Sequence, residues 1–521
     1  MQLFEWLFIT SIIFALVPYT KHWILRYMSS RKLAVLIVIV FLLHLFVENA
    51  RWQLAPAYLA FMVLTSNLVL MPKLPVWLRV LGVSIGVLAA FVTVLAANSF
   101  PVRDIPAPSG PYTVGSFNTF LVDPNRVERY EPSYNRGVTF RVWYPAEVAE
   151  PEEYNQATLF SEMYTGDFDL ISFLFGYMAH IKTNSYIEAP ISRNGPFPLI
   201  IFNHGLFSTL DQNPQLVEHL ASNGYVVLSL THPFESLKVD LPDRGIRTFS
   251  MDYPADVGFS SIEVSDGGIG DKISTIIGVA HSDLMSAVYA QIDLYTAALT
   301  DEEKQQVILD ALLLEELQPL QPLLTAINLQ SFFDIRSRVR NRSTEYWVED
   351  IQLVIDEFET IDTPIEAFIG QVDLKSIGVM GHSYGGSAAG EFCKIDIRCG
   401  AGINLDGTQF GYNWSKPVIA PFLLVNSDTN LGGNDYAYYP PNDNFFDVHI
   451  PDSEHPDYID ALTVLPVLRM MGLSGEMPYQ ELATVVNELS LSFFNQYLKG
   501  NEDALVKHLE SVPGKIIVRH P

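Results

Sequence analysis

Residues 374–390 read LKSIGVMGHSYGGSAAG. An apolar run leads into Gly381-His382-Ser383-Tyr384-Gly385, and small residues follow in what reads as a helix. This is G-x-S-x-G between a predicted strand and a predicted helix. A serine on such a strained turn projects its Oγ at the top of a sheet. Side chains two residues to either side would strike the neighbouring strand and helix, so both positions call for glycine. The amide after the serine lies at the helix start, where it can donate to a developing oxyanion. The bare string is common by chance; the flanking strand and helix make Ser383 the candidate nucleophile.

Working outward, strand-like runs occur at 113–122, 137–144, 198–203, 225–231, 374–380, 401–405, 419–426 and 445–450. Several are continuously apolar, as in a sheet covered on both faces. Helical stretches at 211–223 and 479–499 each close on a glycine, Gly224 and Gly500. The alternation predicts an α/β fold, with a mostly parallel central sheet and helices on both faces. Residues 255–360 break the rhythm with helical patterns at 281–299, 301–316, 322–340 and 343–359. They read as an insertion between core strands, expected to contribute a lid, with mere decoration of the sheet as the alternative.

The first hundred residues differ in kind. Apolar runs at 2–19, 33–48, 54–72 and 78–97 each approach the ~20 residues that cross a bilayer as a helix, and none has a polar face to show to water. The first lacks the basic start and cleavage site of a signal peptide. Residues 1–98 are therefore expected to form four transmembrane helices, 99–111 a Pro-rich extended linker, and 112–521 the catalytic domain. Seven Lys/Arg against two acidic residues give residues 1–100 a net +5, which leaves −32 on the remainder of a chain whose total is −27. Basic residues concentrate in the first and third loops, which places those loops in the cytoplasm and the acidic body outside. The expected location is thus the cell membrane, multi-pass, with an extracytoplasmic body. An acidic body repels phosphate backbones and argues against nucleic acid. His44, in the second run, is read as reaching the interface or a neighbouring helix.

A serine hydroxyl needs a base, and the base needs an orienting carboxylate. In this kind of fold both follow the serine in the chain. His455, in PDSEHPDY just after the 445–450 strand, is the candidate base; His449 lies inside that strand. Asp406 and Asp428 both sit at strand ends, and pattern alone slightly favours Asp428. The turn His204-Gly205-Leu206 after PLIIFN offers the Leu206 amide as a second oxyanion donor beside the Tyr384 amide, with His204 in a structural role. Cys393 and Cys399 are too few for a disulfide framework; pairing, or two half-buried thiols, both remain open. No zinc-like spacing occurs, so neither metal nor other cofactor is expected.

These motifs together resemble a known family. NHGL at 203–206, GHSYGG at 381–386, the strand end AGINLD at 401–406 and HI-PDSEH at 449–455 look like plasma-type platelet-activating-factor acetylhydrolases and dienelactone-hydrolase-like relatives, of the α/β-hydrolase fold. GPYTVGSF, FLVD and RVWYPAE near the start of the body are similar too. The resemblance covers most of 110–500 and not the membrane segment. It implies Ser383, Asp406 and His455 as the triad, choosing Asp406 over Asp428, with Leu206 and Tyr384 as oxyanion donors. It also implies calcium-independent hydrolysis of short or oxidised acyl esters of phospholipids or similar amphiphiles, the activity of a 1-alkyl-2-acetylglycerophosphocholine esterase. Phe207 departs from the glycine frequent there and is expected to narrow the acyl site. The alternatives are a hydrolase of non-lipid esters or polyesters, an acyltransferase, and a non-catalytic membrane-tethered binding protein.

Overall fold

The computed structural model describes residues 3–20, 30–48, 50–70, 75–159, 170–250, 340–365, 368–413, 416–430, 435–438, 443–460 and 465–520. Four apolar helices come first: α1 (Leu3–Thr20), α2 (Ser30–Val47), α3 (Ala55–Leu70) and α4 (Val76–Ser99). They coincide with the four apolar runs. Among the described residues one segment, Val80–Ser99, is long and apolar enough to cross a membrane, and Lys32–Val47 is a shorter apolar helix. The bundle is apolar outside, with Phe46 90 % and Phe91 65 % exposed. It is polar at one inner end. Arg51 pairs with Glu5 at 2.5 Å, and His44 bridges Glu48 (3.1 Å) and the Tyr58 hydroxyl on α3 (2.9 Å).

The expected extended spacer is not a free tether. Residues 100–111 are irregular, yet Val102 and Ile105 are buried, and Ile105 N–H donates to Lys182 O. A Cβ on Gly110 would lie 2.2 Å from the Ser222 carbonyl. Apolar residues in a Pro-rich segment found a surface to cover, and the chain is fastened along the body.

In the body, β5 (Phe197–Asn203), β6 (Val226–Leu230), β9 (Val372–His382), β10 (Cys399–Leu405), β11 (Phe422–Asn426) and β12 (Phe445–His449) lie parallel, in the order β12-β11-β10-β9-β5-β6. The hairpin β1 (Thr113–Val127) and β2 (Asn135–Ala146) joins antiparallel to β6. β4 (Lys182–Ile187) and β3 (Gln156–Thr158) extend that edge, and β13 (Ile517–His520) closes the other, for eleven strands. A separate hairpin is formed by β7 (Lys238–Leu241) and β8 (Gly245–Thr248). All eight expected strands are present. The additional ones are short, lie at edges or outside the main sheet, and carry polar residues that hide them from an apolar-run reading.

Helices cover both faces. α5 (Pro214–Ser222), α8 (Tyr479–Tyr497) and α9 (Ala504–Ser511) bury Leu216, Leu220, Leu489 and Leu505 on one side. The other carries α6 (340–356) and α7 (Tyr384–Ile395), through Trp347, Ile351, Val354, Ala388 and Phe392. This is the α/β-hydrolase architecture. Of the four helical stretches assigned to the 255–360 insertion, the first three lie essentially outside the described residues. The fourth is α6, a core helix and not a lid: Trp347 is fully buried, and a buried aromatic of that size removes about 4–6 kcal/mol worth of apolar surface from water.

Candidate active site

The site is built where β5, β9, β10 and β11 end. β9 runs into Ser383, whose φ of 56° and ψ of −122° are foreign to regular structure, and α7 starts at the next residue. The surroundings force glycine on either side. A Cβ on Gly385 would lie 2.0 Å from Asn203 O, and one on Gly381 2.3 Å from the Gly385 carbonyl carbon. Contacts so close have no tolerable solution, so the turn and the end of β5 can meet only without side chains. Gly407 serves the same end, since its Cβ would fall 2.0 Å from Ser383 O.

The Ser383 Oγ lies 2.9 Å from His455 Nε2, and His455 Nδ1 lies 2.6 Å from Asp406 Oδ2. Asp406 is fully buried. Its carboxylate also accepts from Ser427 N–H (2.6 Å), Ser427 Oγ (3.0 Å) and Asn430 Nδ2 (2.7 Å). Four donors converge on one carboxylate, an arrangement that fixes its orientation. Asp428 is turned elsewhere: it meets His449 Nε2 at 2.6 Å and accepts from Asp452 N–H. Pattern alone tilted toward Asp428; in the structure the carboxylate that faces His455 is Asp406.

Gly205 packs onto Ser383, since its Cβ would stand 3.3 Å from Ser383 Cβ. The amides beside Leu206 are committed, Gly205 N–H to Gln212 Oε1 (2.6 Å) and Phe207 N–H to Glu235 O (2.9 Å). Among the described residues, neither Leu206 N–H nor Tyr384 N–H donates a hydrogen bond. Phe207 has φ 61°, a left-handed conformation that costs a non-glycine residue roughly 1–2 kcal/mol. That explains why glycine suits this position, and the Phe207 ring stands 54 % exposed beside Phe249.

Behind the turn lies a buried polar layer. His204 Nε2 meets Ser236 Oγ at 2.8 Å, and His232 bridges Asp350 (2.9 Å) and Asn203 (3.2 Å). Burial, with His232 nearby, pushes His204 down to about 3. Burial likewise pushes His232 down to about 4, against the opposing pull of Asp350. Both are neutral structural groups, as expected of His204. Burial works against the Asp350 charge, but Arg136 and Arg126 hold its carboxyl well below the usual range. Trp347 of α6 stacks on His232 at 3.7 Å and meets the Tyr384 ring edge-on at 4.7 Å. The Tyr384 hydroxyl donates to Arg340 O at 2.5 Å.

The sequence reading assigned no role to Gln212, His382, Ser427 or Asn430. Gln212, Ser427 and Asn430 lie outside the motifs, and His382 fills a variable position of G-x-S-x-G; each acts on segments distant in the chain. Cys393 and Cys399 form a disulfide, Cα–Cα 5.2 Å, which ties the end of α7 to the start of β10. Among the described residues no group of His, Cys, Asp and Glu is arranged to hold a metal.

Residues 97–240 match the family model "Platelet-activating factor acetylhydrolase, isoform II". The platelet-activating factor acetylhydrolase of the guinea pig, Cavia porcellus, is 23% identical over 418 residues, which cover 78% of this chain and 80% of that protein. Among solved structures, a ferulic acid esterase from Streptomyces cinnamoneus superposes with a TM-score of 0.55 at 19% identity, covering 81% of this chain and 100% of that one. At that identity the likeness is one of fold.

Proposed function

We propose that this chain is a membrane-anchored serine carboxylic ester hydrolase acting on short or oxidised acyl esters of phospholipids or similar amphiphiles. The observation that carries the reading is the continuous link from Ser383 Oγ through His455 to the buried Asp406, on a strained turn. In the mechanism, His455 Nε2 takes the Ser383 proton as Oγ attacks the ester carbonyl. Leu206 and Tyr384 N–H groups receive the negative charge on the carbonyl oxygen. Asp406 keeps the proton on His455 Nδ1 and stabilises the imidazolium. That imidazolium protonates the leaving alcohol, and water, deprotonated by His455, releases the acid from the acyl-enzyme. The similarity to platelet-activating factor acetylhydrolases supports an ester hydrolase and favours acetyl-type phospholipid esters over non-lipid ones.

The four apolar helices with lipid-compatible outer faces support a multi-span anchor in the cell membrane. The Lys/Arg distribution between loops supports an extracytoplasmic body. The disulfide agrees, because such bonds persist in oxidising compartments. Protease added to intact cells is expected to digest the body; full protection would place it inside.

The decisive experiment uses the full chain in detergent, with p-nitrophenyl esters from acetate to palmitate, a fluorophosphonate probe, and Ser383→Ala. Turnover of short esters and labelling, both lost in the variant, are expected. A folded wild-type protein with neither turnover nor labelling sinks the proposal and leaves a binding role.

A further inference from the structure

Gln212 lies two residues before α5, 170 residues from His382 in the nucleophile turn, and is buried. Its Oε1 accepts Gly205 N–H at 2.6 Å. Its Nε2 donates to His382 Nδ1 at 2.9 Å and to Asn213 Oδ1 at 2.9 Å. The amide orientation follows from these partners, because a flipped amide would set its NH2 against the Gly205 donor. An accepting Nδ1 places the His382 proton on Nε2, and that N–H points at His455 O, 3.1 Å away. The result is one directed chain: Gly205 N–H to Gln212, Gln212 to His382, His382 to the His455 carbonyl. The His382 and His455 rings also lie 4.7 Å apart.

Both ends of this chain matter to the chemistry. Gly205 precedes the Leu206 amide, and His455 carries the base. A neutral His382 is required, since only the neutral ring both accepts at Nδ1 and donates at Nε2. Burial, aided by neighbouring His455, holds His382 well below the usual histidine range. The titratable groups facing it are His455 and the Tyr458 ring.

We propose that Gln212 is a positioning residue, which sets the oxyanion turn and the His455 loop in register through His382. This rests on the ester-hydrolase reading above. Tilting either element by a fraction of an ångström misplaces the oxyanion amide or the base relative to Ser383, and reaction geometry is sensitive at that scale. Loss of the link therefore lowers turnover more than substrate binding.

The test compares wild type, Gln212→Leu and Gln212→Glu as full chains in detergent, measuring kcat, KM, fluorophosphonate labelling rate and thermal unfolding. For Gln212→Leu, kcat and labelling rate are expected to fall about 10- to 100-fold, with KM changed less than about 3-fold. Gln212→Glu separates positioning from mere packing. Its carboxylate still accepts Gly205 N–H, but it can engage His382 Nδ1 only if the pair holds a proton. At low pH that proton is present and the chain is intact; as pH rises it leaves, and two lone pairs face each other. Gln212→Glu is therefore expected to lose activity on the alkaline side, where wild type does not. An active wild type with an unimpaired Gln212→Leu overturns the proposal alone, as does a Gln212→Glu pH profile parallel to wild type. A folded wild type with neither turnover nor labelling overturns the ester-hydrolase reading and this proposal together.

Discussion

Asp406→Asn and Asp428→Asn change one atom each, at strand ends 22 residues apart, and are expected to behave oppositely. Asp406 accepts four hydrogen bonds. An asparagine that keeps its oxygen toward Ser427 N–H turns its NH2 toward His455 and Asn430. The Asn430 contact, 2.7 Å in the native protein, then sets donor against donor, and a buried unsatisfied donor costs about 1–3 kcal/mol of stability. The effect on activity is larger. His455 can satisfy the new NH2 only by moving its proton to Nε2, where it can no longer accept from Ser383. In serine triads this tautomer change lowers kcat by about 10⁴, equivalent to about 5.5 kcal/mol of barrier. Asp428→Asn removes a partly exposed contact to His449 and should cost under about 1 kcal/mol of stability, with kcat unchanged. Ester turnover and chemical denaturation of both variants in detergent check this. An Asp406→Asn enzyme that retains more than about a tenth of wild-type kcat while Asp428→Asn loses it would refute the assignment.

Two further expectations concern the same neighbourhood. Phe207→Gly removes a half-exposed ring but relieves a left-handed backbone. Stability should stay within about 1 kcal/mol of wild type, while chain-length preference moves toward longer esters; a loss above about 2 kcal/mol would show that the ring is a packing element. His204 and His232 are held neutral in the fold, at about 3 and about 4, against about 6.5 unfolded. Their contribution is fully present above pH ~6.5 and is lost as pH falls toward their folded values, at up to about 1.4 kcal/mol per pH unit each. Urea unfolding at pH 7, 6 and 5 should show this decline, and flat stability across that range would contradict it.

What could be read from the chain alone was whatever local sterics or continuous burial impose. The Gly381-Ser383-Gly385 turn is legible because its glycines answer a clash with the end of β5, and that clash follows from the strand-turn-helix path itself. The parallel strands are legible because a strand covered on both faces must be apolar throughout. Apolar runs likewise located α1 to α4. Tertiary structure decided what depends on which distant groups meet. Asp406 and Asp428 occupy equivalent strand ends, and only the packing of the 427–430 and 449–455 loops turns one toward His455 and the other toward His449. The cysteines pair because α7 ends beside the start of β10. The stretch expected to be a helix of the insertion, α6, joins the core because Trp347 finds His232 and Tyr384, neither of them near it in sequence. Gln212 carries no motif at all: beyond its neighbour Asn213 it meets Gly205 after β5 and His382 at the end of β9, and a hydrogen-bond chain across such gaps leaves no periodic or spaced signature in any single stretch of sequence.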